Sequence, residues 1–327
     1  ACGGCSGSPI SGVSVAGPIF TIPAYTMDQG RASIGFGTAY INSGRLSSSQ
    51  VNKVLRSRTH SDDNYGGLNS SFFATYGVTD KLNLLATMPY RINYDFHEIH
   101  EGSFERQGNS IGFGDLILLS KYKYFSRLTS QAALISGIKF PTGDSHVIAD
   151  TGERFEARNQ PGTGSFDPMI GLAFSKQLKS VALDSSVLYT LSTEGAQNTT
   201  TGDRVNIALG MSYPINHSHS DQFHHEHEHG SDKSSLEKLF PEHLLGQHLT
   251  WDLILESVGR WEEKPEIDGI KDPNHGGFTV FVYPGLRMTI NKSVVCNLNI
   301  GLPVLQALNG EQGGTDFQMF FGMATAL

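Results

Sequence analysis

Long apolar runs are missing from this 327-residue chain. None approaches the ~18 to 20 consecutive apolar residues that a transmembrane helix needs, so helical membrane spans are excluded. Apolar residues spaced i, i+3, i+4 and i+7 are scarce as well, which argues against an ordinary helix-bearing enzyme. Charged residues make up only 17%, and the net charge of −8 leaves no basic footprint for nucleic acid. Three cysteines, Cys2, Cys5 and Cys296, are too few for a disulfide scaffold. Catalytic signatures are wanting too: there is no G-x-S-x-G, no H-E-x-x-H, no Walker loop and no GxGxxG at a strand–helix junction. The chain is not expected to be an enzyme.

What fills the sequence instead is alternation. In "FTVFVYPGLRMTIN", Val280, Val282, Pro284, Leu286, Met288 and Ile290 share one face. Thr279, Tyr283, Gly285, Arg287, Thr289 and Asn291 share the other, with Phe281 as the one large apolar exception. About twelve such segments occur, near 31–42, 65–78, 82–98, 111–125, 130–141, 167–178, 181–193, 204–216, 247–263, 278–291, 294–306 and 315–327. Tight turns at 79–81, 126–130, 178–180 and 291–293 alternate with longer polar loops at 43–64, 99–110, 142–166, 194–203, 264–277 and 307–314. This pattern predicts an all-β fold: a transmembrane, antiparallel, up-and-down β-barrel of about 12 strands, with short periplasmic turns and longer extracellular loops. A soluble sandwich would also alternate, but its outer face would be rich in Lys and Glu. Here the polar face is small (Gly, Ala, Ser, Asn) with isolated charges, as a lumen would be, and the apolar face meets lipid. Closure pairs every backbone group, which hydrocarbon demands. Tyr76, Tyr90, Tyr122, Tyr124, Tyr189, Tyr213 and Trp251 lie near segment ends on the lipid-facing parity, where aromatic girdles belong.

Four stretches, in order, resemble one family: "YGVTDKLNLLATMPYR" (Tyr76 to Arg91), "GFGDLILLSKYKY" (Gly112 to Tyr124), "GIKFPTGD" (Gly137 to Asp144) and "QPGTGSFDPMIGLAFSK" (Gln160 to Lys176). They are similar to the "MetA-pathway of phenol degradation" family of outer-membrane barrels. The resemblance spans roughly residues 30 to 216 and, more loosely, the last four strands. It implies the outer membrane of a Gram-negative bacterium. By analogy with aromatic-uptake channels, it also implies passage of small apolar molecules. Two features depart from the family pattern: the opening "ACGGC" and a histidine-rich insert after the eighth strand.

The expected organisation is an N-terminal segment, 1–30, followed by a barrel, 31–327, that carries a periplasmic insert at 217–246. The opening reads like the start of a mature chain whose signal peptide has been removed. Residues 1–30 are rich in Gly, Ser and Pro, with Ile19, Phe20, Ile22 and Tyr25 as apolar anchors. They either fold into the barrel as a plug or lie in the periplasm as a tail. Lumen-parity charges are Arg91, Asp115, Lys121, Lys123, Lys139, Asp184, Asp252, Glu256 and Arg287. Such charges either select solutes or pair with one another and fill the barrel.

Cys2-Gly3-Gly4-Cys5 has the C-x-x-C spacing of metal and redox sites, and also that of a small disulfide. Ser6 follows where c-type haem would need histidine. The tract "HSHSDQFHHEHEH" holds His217, His219, His224, His225, His227 and His229, whose imidazoles suit zinc or copper. Cys296 has lipid-facing parity and is expected to be inert. Three functions follow: a passive channel for small, apolar or aromatic solutes; capture or transport of Cu or Zn; or a structural anchor for a periplasmic or surface protein assembly. The expected partners are outer-membrane lipid and a small-molecule solute.

Overall fold

The structure, a computed structural model, describes residues 20–57, 61–63, 66–100, 103–215, 249–291 and 293–327. Strands dominate because the period-two apolar pattern can be satisfied only in extended backbone. In chain order they are β1 (Ala32–Ser43), β2 (Ser61–Asp63), β3 (Gly66–Thr79), β4 (Leu82–His100), β5 (Ser103–Phe113) and β6 (Leu116–Arg127). Next come β7 (Ser130–Phe140), β8 (Asp167–Leu178), β9 (Val181–Thr190), β10 (Thr199–Thr200), β11 (Arg204–Pro214) and β12 (Leu249–Glu262). The last are β13 (Glu266–Ile267), β14 (Ile270–Lys271), β15 (Gly277–Ile290), β16 (Val294–Leu308) and β17 (Thr315–Ala326). One helix, α1 (Ser48–Ser57), sits in the first long loop.

The sheet closes on itself. β1 pairs antiparallel with β17 on one side and β3 on the other, and the ladder continues from β17 back through β16, β15, β12, β11, β9, β8, β7 and β6 to β4. β5 and β6 pair with the same strand in succession, Phe113 opposite Tyr90 and Ile117 opposite Thr87, so they act as one barrel strand interrupted at Gly114 and Asp115. The barrel therefore has twelve strands, as the alternation predicts. One boundary differs. The expected loop at 99–110 is mostly strand, because β4 and β5 run on as a hairpin that closes at His100 and Ser103. Residues 103–110, "SFERQGNS", are polar on both faces apart from Phe104, so this projecting ladder carries no period-two signal.

The outer face is apolar and bare. Ile34, Phe72, Leu172, Leu209, Leu253, Leu298 and Met323 all point outward and are exposed. Each of the twelve barrel strands is long enough to cross hydrocarbon, which takes about 9 to 11 tilted residues. Tyr76, Tyr122, Tyr124 and Tyr213 form an exposed outward row toward the short-turn end. The interior holds the polar parity, with Asn69, Ser71, Asp115, Lys121, Lys139, Asp184, Glu256, Arg287, Asn297 and Asn299 buried. This is the inverse of a water-soluble core, and lipid is the medium that permits it.

Candidate functional site

The barrel interior is built in tiers, and its lowest tier contains the chain's own N-terminal end. Residues 20–30 do not line the wall. The chain turns in at the short-turn rim, where Gly30 N donates to Gly77 O (2.8 Å), Gln29 N to Asp80 Oδ1 (2.9 Å) and Thr26 Oγ1 to Asp80 O (2.7 Å). Gly77 lets it pass close to the wall, since a Cβ there would stand 2.2 Å from the carbonyl oxygen of Asp28. Further in, Ala24 N donates to Ser175 Oγ (2.8 Å), Ile22 N to Ser186 Oγ (3.1 Å), and Lys121 Nζ to Pro23 O (2.8 Å). Ser175 in turn donates to Asp184. At the deepest point, Glu256 Oε2 accepts from Phe20 N (2.8 Å), Thr21 N (2.9 Å) and Thr21 Oγ1 (3.0 Å). The amides of Phe20, Thr21, Ile22 and Ala24 thus each find an inward-pointing side-chain oxygen, which is what burial requires.

Apolar contacts match these bonds. Ile22 and Ala24 pack with Ile117, Leu119, Ala133, Ile135, Met169, Ala173 and Leu188. Phe20 packs against Phe73, Phe320 and Tyr283, its ring centroid 4.2 Å from that of Tyr283 and 5.4 Å from that of Phe320. Phe281, the exception on the polar face of its strand, lies next to Tyr283 in this aromatic layer (6.0 Å between centroids). A cavity of ≈ 520 Å³ remains between residues 22–31 and the wall, lined by Tyr25, Asn83, Leu85 and Lys121 among others.

Above the aromatic layer, three motifs from separate parts of the sequence meet. Asp115, at the break between β5 and β6, accepts from Gly143 N (3.0 Å) at Oδ1 and from Thr163 N (2.8 Å) and Thr163 Oγ1 (2.7 Å) at Oδ2. Lys139 lies 3.4 Å from Asp115 and 2.6 Å from Asp167, and Arg204 lies 3.6 Å from Asp167. Gly143 and Gly162 approach so closely that a Cβ on Gly143 would come within 2.7 Å of Gly162 Cα. "GFGD", "PTGD" and "QPGTG" are therefore parts of one knot.

At the far end the long loops are tied by a buried arginine. Arg158, in a short 3-10 turn (Ala157–Asn159), reaches Asp272 (2.6 Å), Glu156 (2.7 Å) and Asp62 (3.3 Å). His275 adds contacts to Asp272 (2.9 Å) and Asp62 (3.3 Å). Burial opposes the guanidinium charge, but Asp62, Glu156 and Asp272 outweigh it and push Arg158 further above its ordinary range. The loops carrying residues 61–63, 142–166 and 264–276 are thereby joined.

The predicted lumen residues fall into distinct groups. Lys121 and Glu256 hold the N-terminal end directly, and Asp184 holds it through Ser175. Asp115 and Lys139 belong to the motif knot, and Arg287 pairs with Asp252 (2.9 Å). Lys123 is half-buried toward the turn end of β6, and Arg91 stands in the upper lumen. Sequence reading missed Asp167, Arg204, Arg260 and the Arg158 cluster; only the pairing of Lys139 opposite Asp167 in the β7–β8 ladder could have flagged one of them. Cys2, Cys5, His217, His219, His224, His225, His227 and His229 lie outside the described residues, as does the body of the insert at 217–246. Among the described residues, no group of three or more His, Cys, Asp or Glu is placed to hold a metal ion.

Among solved structures, the COG4313 outer membrane channel from Pseudomonas putida F1 aligns at 11% identity, covering 93% of this chain and 98% of its own, with a TM-score of 0.57. The NanC porin aligns at 8% identity over 90% of this chain and 100% of its own, with a TM-score of 0.45. At these identities the likeness is one of fold. No curated protein matches the sequence. The family described as "Putative MetA-pathway of phenol degradation" matches residues 44–230, more than half of the chain. The three knotted motifs lie inside that span, and the chain is a member of this family with the fold of an outer-membrane channel.

Proposed function

We propose that the protein is a passive, non-catalytic channel for small molecules across the outer membrane, in which residues 1–30 act as a plug that governs passage. The observation that supports this reading is Glu256, which is fully buried and whose Oε2 accepts hydrogen bonds from Phe20 N, Thr21 N and Thr21 Oγ1. A carboxyl kept inside a membrane barrel to hold the segment that precedes the first strand is a device for occlusion. The apolar layer around Phe20 favours solutes with apolar surface. Planar-bilayer conductance and liposome swelling test the reading. The full chain should conduct weakly, and the chain lacking residues 1–30 strongly. If neither form passes any solute, transport is refuted.

A second reading, metal capture, rests on the histidine tract between β11 and β12 and on Cys2 and Cys5. β11 ends and β12 begins at the short-turn rim, with Pro214 opposite Asp252, and short turns mark the periplasmic side of such barrels. Calorimetric titration with Cu or Zn decides it. Affinity weaker than ~10 μM, or affinity unchanged on deleting 217–229, rules it out.

A further inference from the structure

Charge on the outer wall is almost absent, and its two instances lie side by side. In the membrane-crossing stretches of the twelve barrel strands, among the described residues, only Arg127 and Lys176 carry charge on the lipid-facing parity; every other Lys, Arg, Asp and Glu there faces inward. Arg127 stands opposite Ser130, and Ser130 opposite Lys176, so both cations occupy one ladder row across β6, β7 and β8. Ser130 has the parity of Leu134, and Lys176 that of Phe174 and Leu172, all three of which are exposed on the outer wall. With strands about 4.8 Å apart, the bases of the two side chains are about 10 Å apart, close enough for both to reach one anion. Arg127 and Lys176 are exposed, and neither forms an ion pair among the described residues. The turns at 126–130 and 178–180 hold no Asp or Glu, and Lys179 adds a third exposed positive charge. The one carboxylate at this end of β8 and β9, Asp184, is buried on the inward face, where Ser175 donates to it.

A single cation at a barrel rim explains itself, because a long side chain lifts its charge from an apolar base to the interface. Two in one row without a counter-charge repel each other, and an anion between them stabilises both. Arg127 is also held in place, its guanidinium carbon 5.5 Å from the centroid of the Phe125 ring. That contact keeps it against the wall at the level of the outward Tyr122 and Tyr124. Its planar fork matches two phosphate oxygens, Lys176 supplies a point charge, and the Ser130 hydroxyl between them adds a donor. The row lies at the ends of β6 and β8, on the side of the short turns, where the headgroups of the periplasmic leaflet lie. Deeper in the membrane the wall becomes apolar, with Phe174, Leu172, Leu134 and Leu183 exposed. A phosphate joined to acyl chains satisfies the row and the apolar bed together. A zwitterionic headgroup brings its own ammonium group, which the row disfavours.

We propose that Arg127, Ser130 and Lys176 form a seat on the outer wall for one anionic phospholipid of the periplasmic leaflet, with its phosphate on the cation row and its chains over the apolar bed. The test is native mass spectrometry of the full chain in detergent, titrated with phosphatidylglycerol and with phosphatidylcholine of identical chains. One phosphatidylglycerol should bind about tenfold more tightly than phosphatidylcholine. Arg127→Gln and Lys176→Gln should each lower that preference, and the double variant should remove it. Heat-modifiable migration checks that each variant folds, and the single variants carry the test if the double one does not. Lys81→Gln removes an exposed rim cation that sits beside Asp80 in the turn between β3 and β4, and should leave the preference unchanged. Equal retention of the two lipids, or a preference that survives both glutamine substitutions, overturns the seat. An equal loss in Lys81→Gln overturns it too, since diffuse rim charge would then suffice. Displacement of the lipid by an equal concentration of inorganic phosphate assigns the row to the free ion and likewise overturns the lipid seat.

Discussion

Glu256→Gln is the sharpest single perturbation of the plug. The substitution keeps shape and volume but removes the charge from an oxygen that accepts three hydrogen bonds, at 2.8, 2.9 and 3.0 Å, in a fully buried site. Bonds to a charged group contribute about 1.5–3 kcal/mol and neutral ones about 0.5–1.5, so each weakens by about 1 kcal/mol. Because all three share one oxygen they do not add fully, and a net loss of about 1–2 kcal/mol is expected, or about a 5- to 30-fold shift toward release of residues 20–21. Glu256→Leu goes further, since it leaves the amides of Phe20 and Thr21 without an acceptor at about 1–3 kcal/mol each. Single-channel recording in planar bilayers reads the effect as the fraction of time spent at high conductance. The order should be wild type, then Glu256→Gln, then Glu256→Leu, approaching the chain that lacks residues 1–30. If truncation opens the channel but neither Glu256 variant changes the open fraction, the tether lies elsewhere and the reasoning fails.

Gly77→Ala should act on the same equilibrium from the rim, because its Cβ would strike the Asp28 carbonyl at 2.2 Å; the barrel should still fold, with a raised open fraction in the same recordings. Asp115→Ala leaves the amides of Gly143 and Thr163 without their acceptor, while Lys139 keeps Asp167, and should cost about 2–5 kcal/mol, read as a lower midpoint of heat-modifiable unfolding. Lys53 holds the Glu311 carboxyl below its ordinary value of 4.5 through their hydrogen bond. That tie between α1 and the last long loop is full above pH 4.5 and lost as pH falls below it, so proteolysis of α1 should rise in acid, and Lys53→Met should abolish the dependence.

The fold was legible because every crossing strand repeats the same binary choice. Val280 to Ile290 against Thr279 to Asn291 states which face is oily, and eleven further segments say the same, so strand number, hand of burial and turn side follow by counting. Legibility failed where that choice lapses. The hairpin of β4 and β5 rises beyond the apolar belt, both faces of 103–110 become polar apart from Phe104, and strand reads as loop. The small strands β10, β13 and β14 pair only among themselves, at two residues each, too short to leave a period.

The interior was half legible, and the division has a physical cause. Parity along one strand is a local property, so it placed Lys121, Glu256 and Arg91 inward without any knowledge of their neighbours. Partnership is set by register around the ring and by a segment that enters from outside it. Glu256 reaches a residue 235 positions away in sequence, and Asp115, Gly143 and Thr163 meet only because β6, β7 and β8 are adjacent in the closed sheet. The two readings of the lumen charges, mutual pairing or a role toward something that enters, therefore cease to compete. Asp115, Lys139, Asp252 and Arg287 pair across neighbouring strands and stiffen the wall. Lys121 and Glu256 spend their charge on backbone of the chain's own terminus. Arg91, only partly buried in the upper lumen, belongs to neither group, and its position was legible from parity while its role was not.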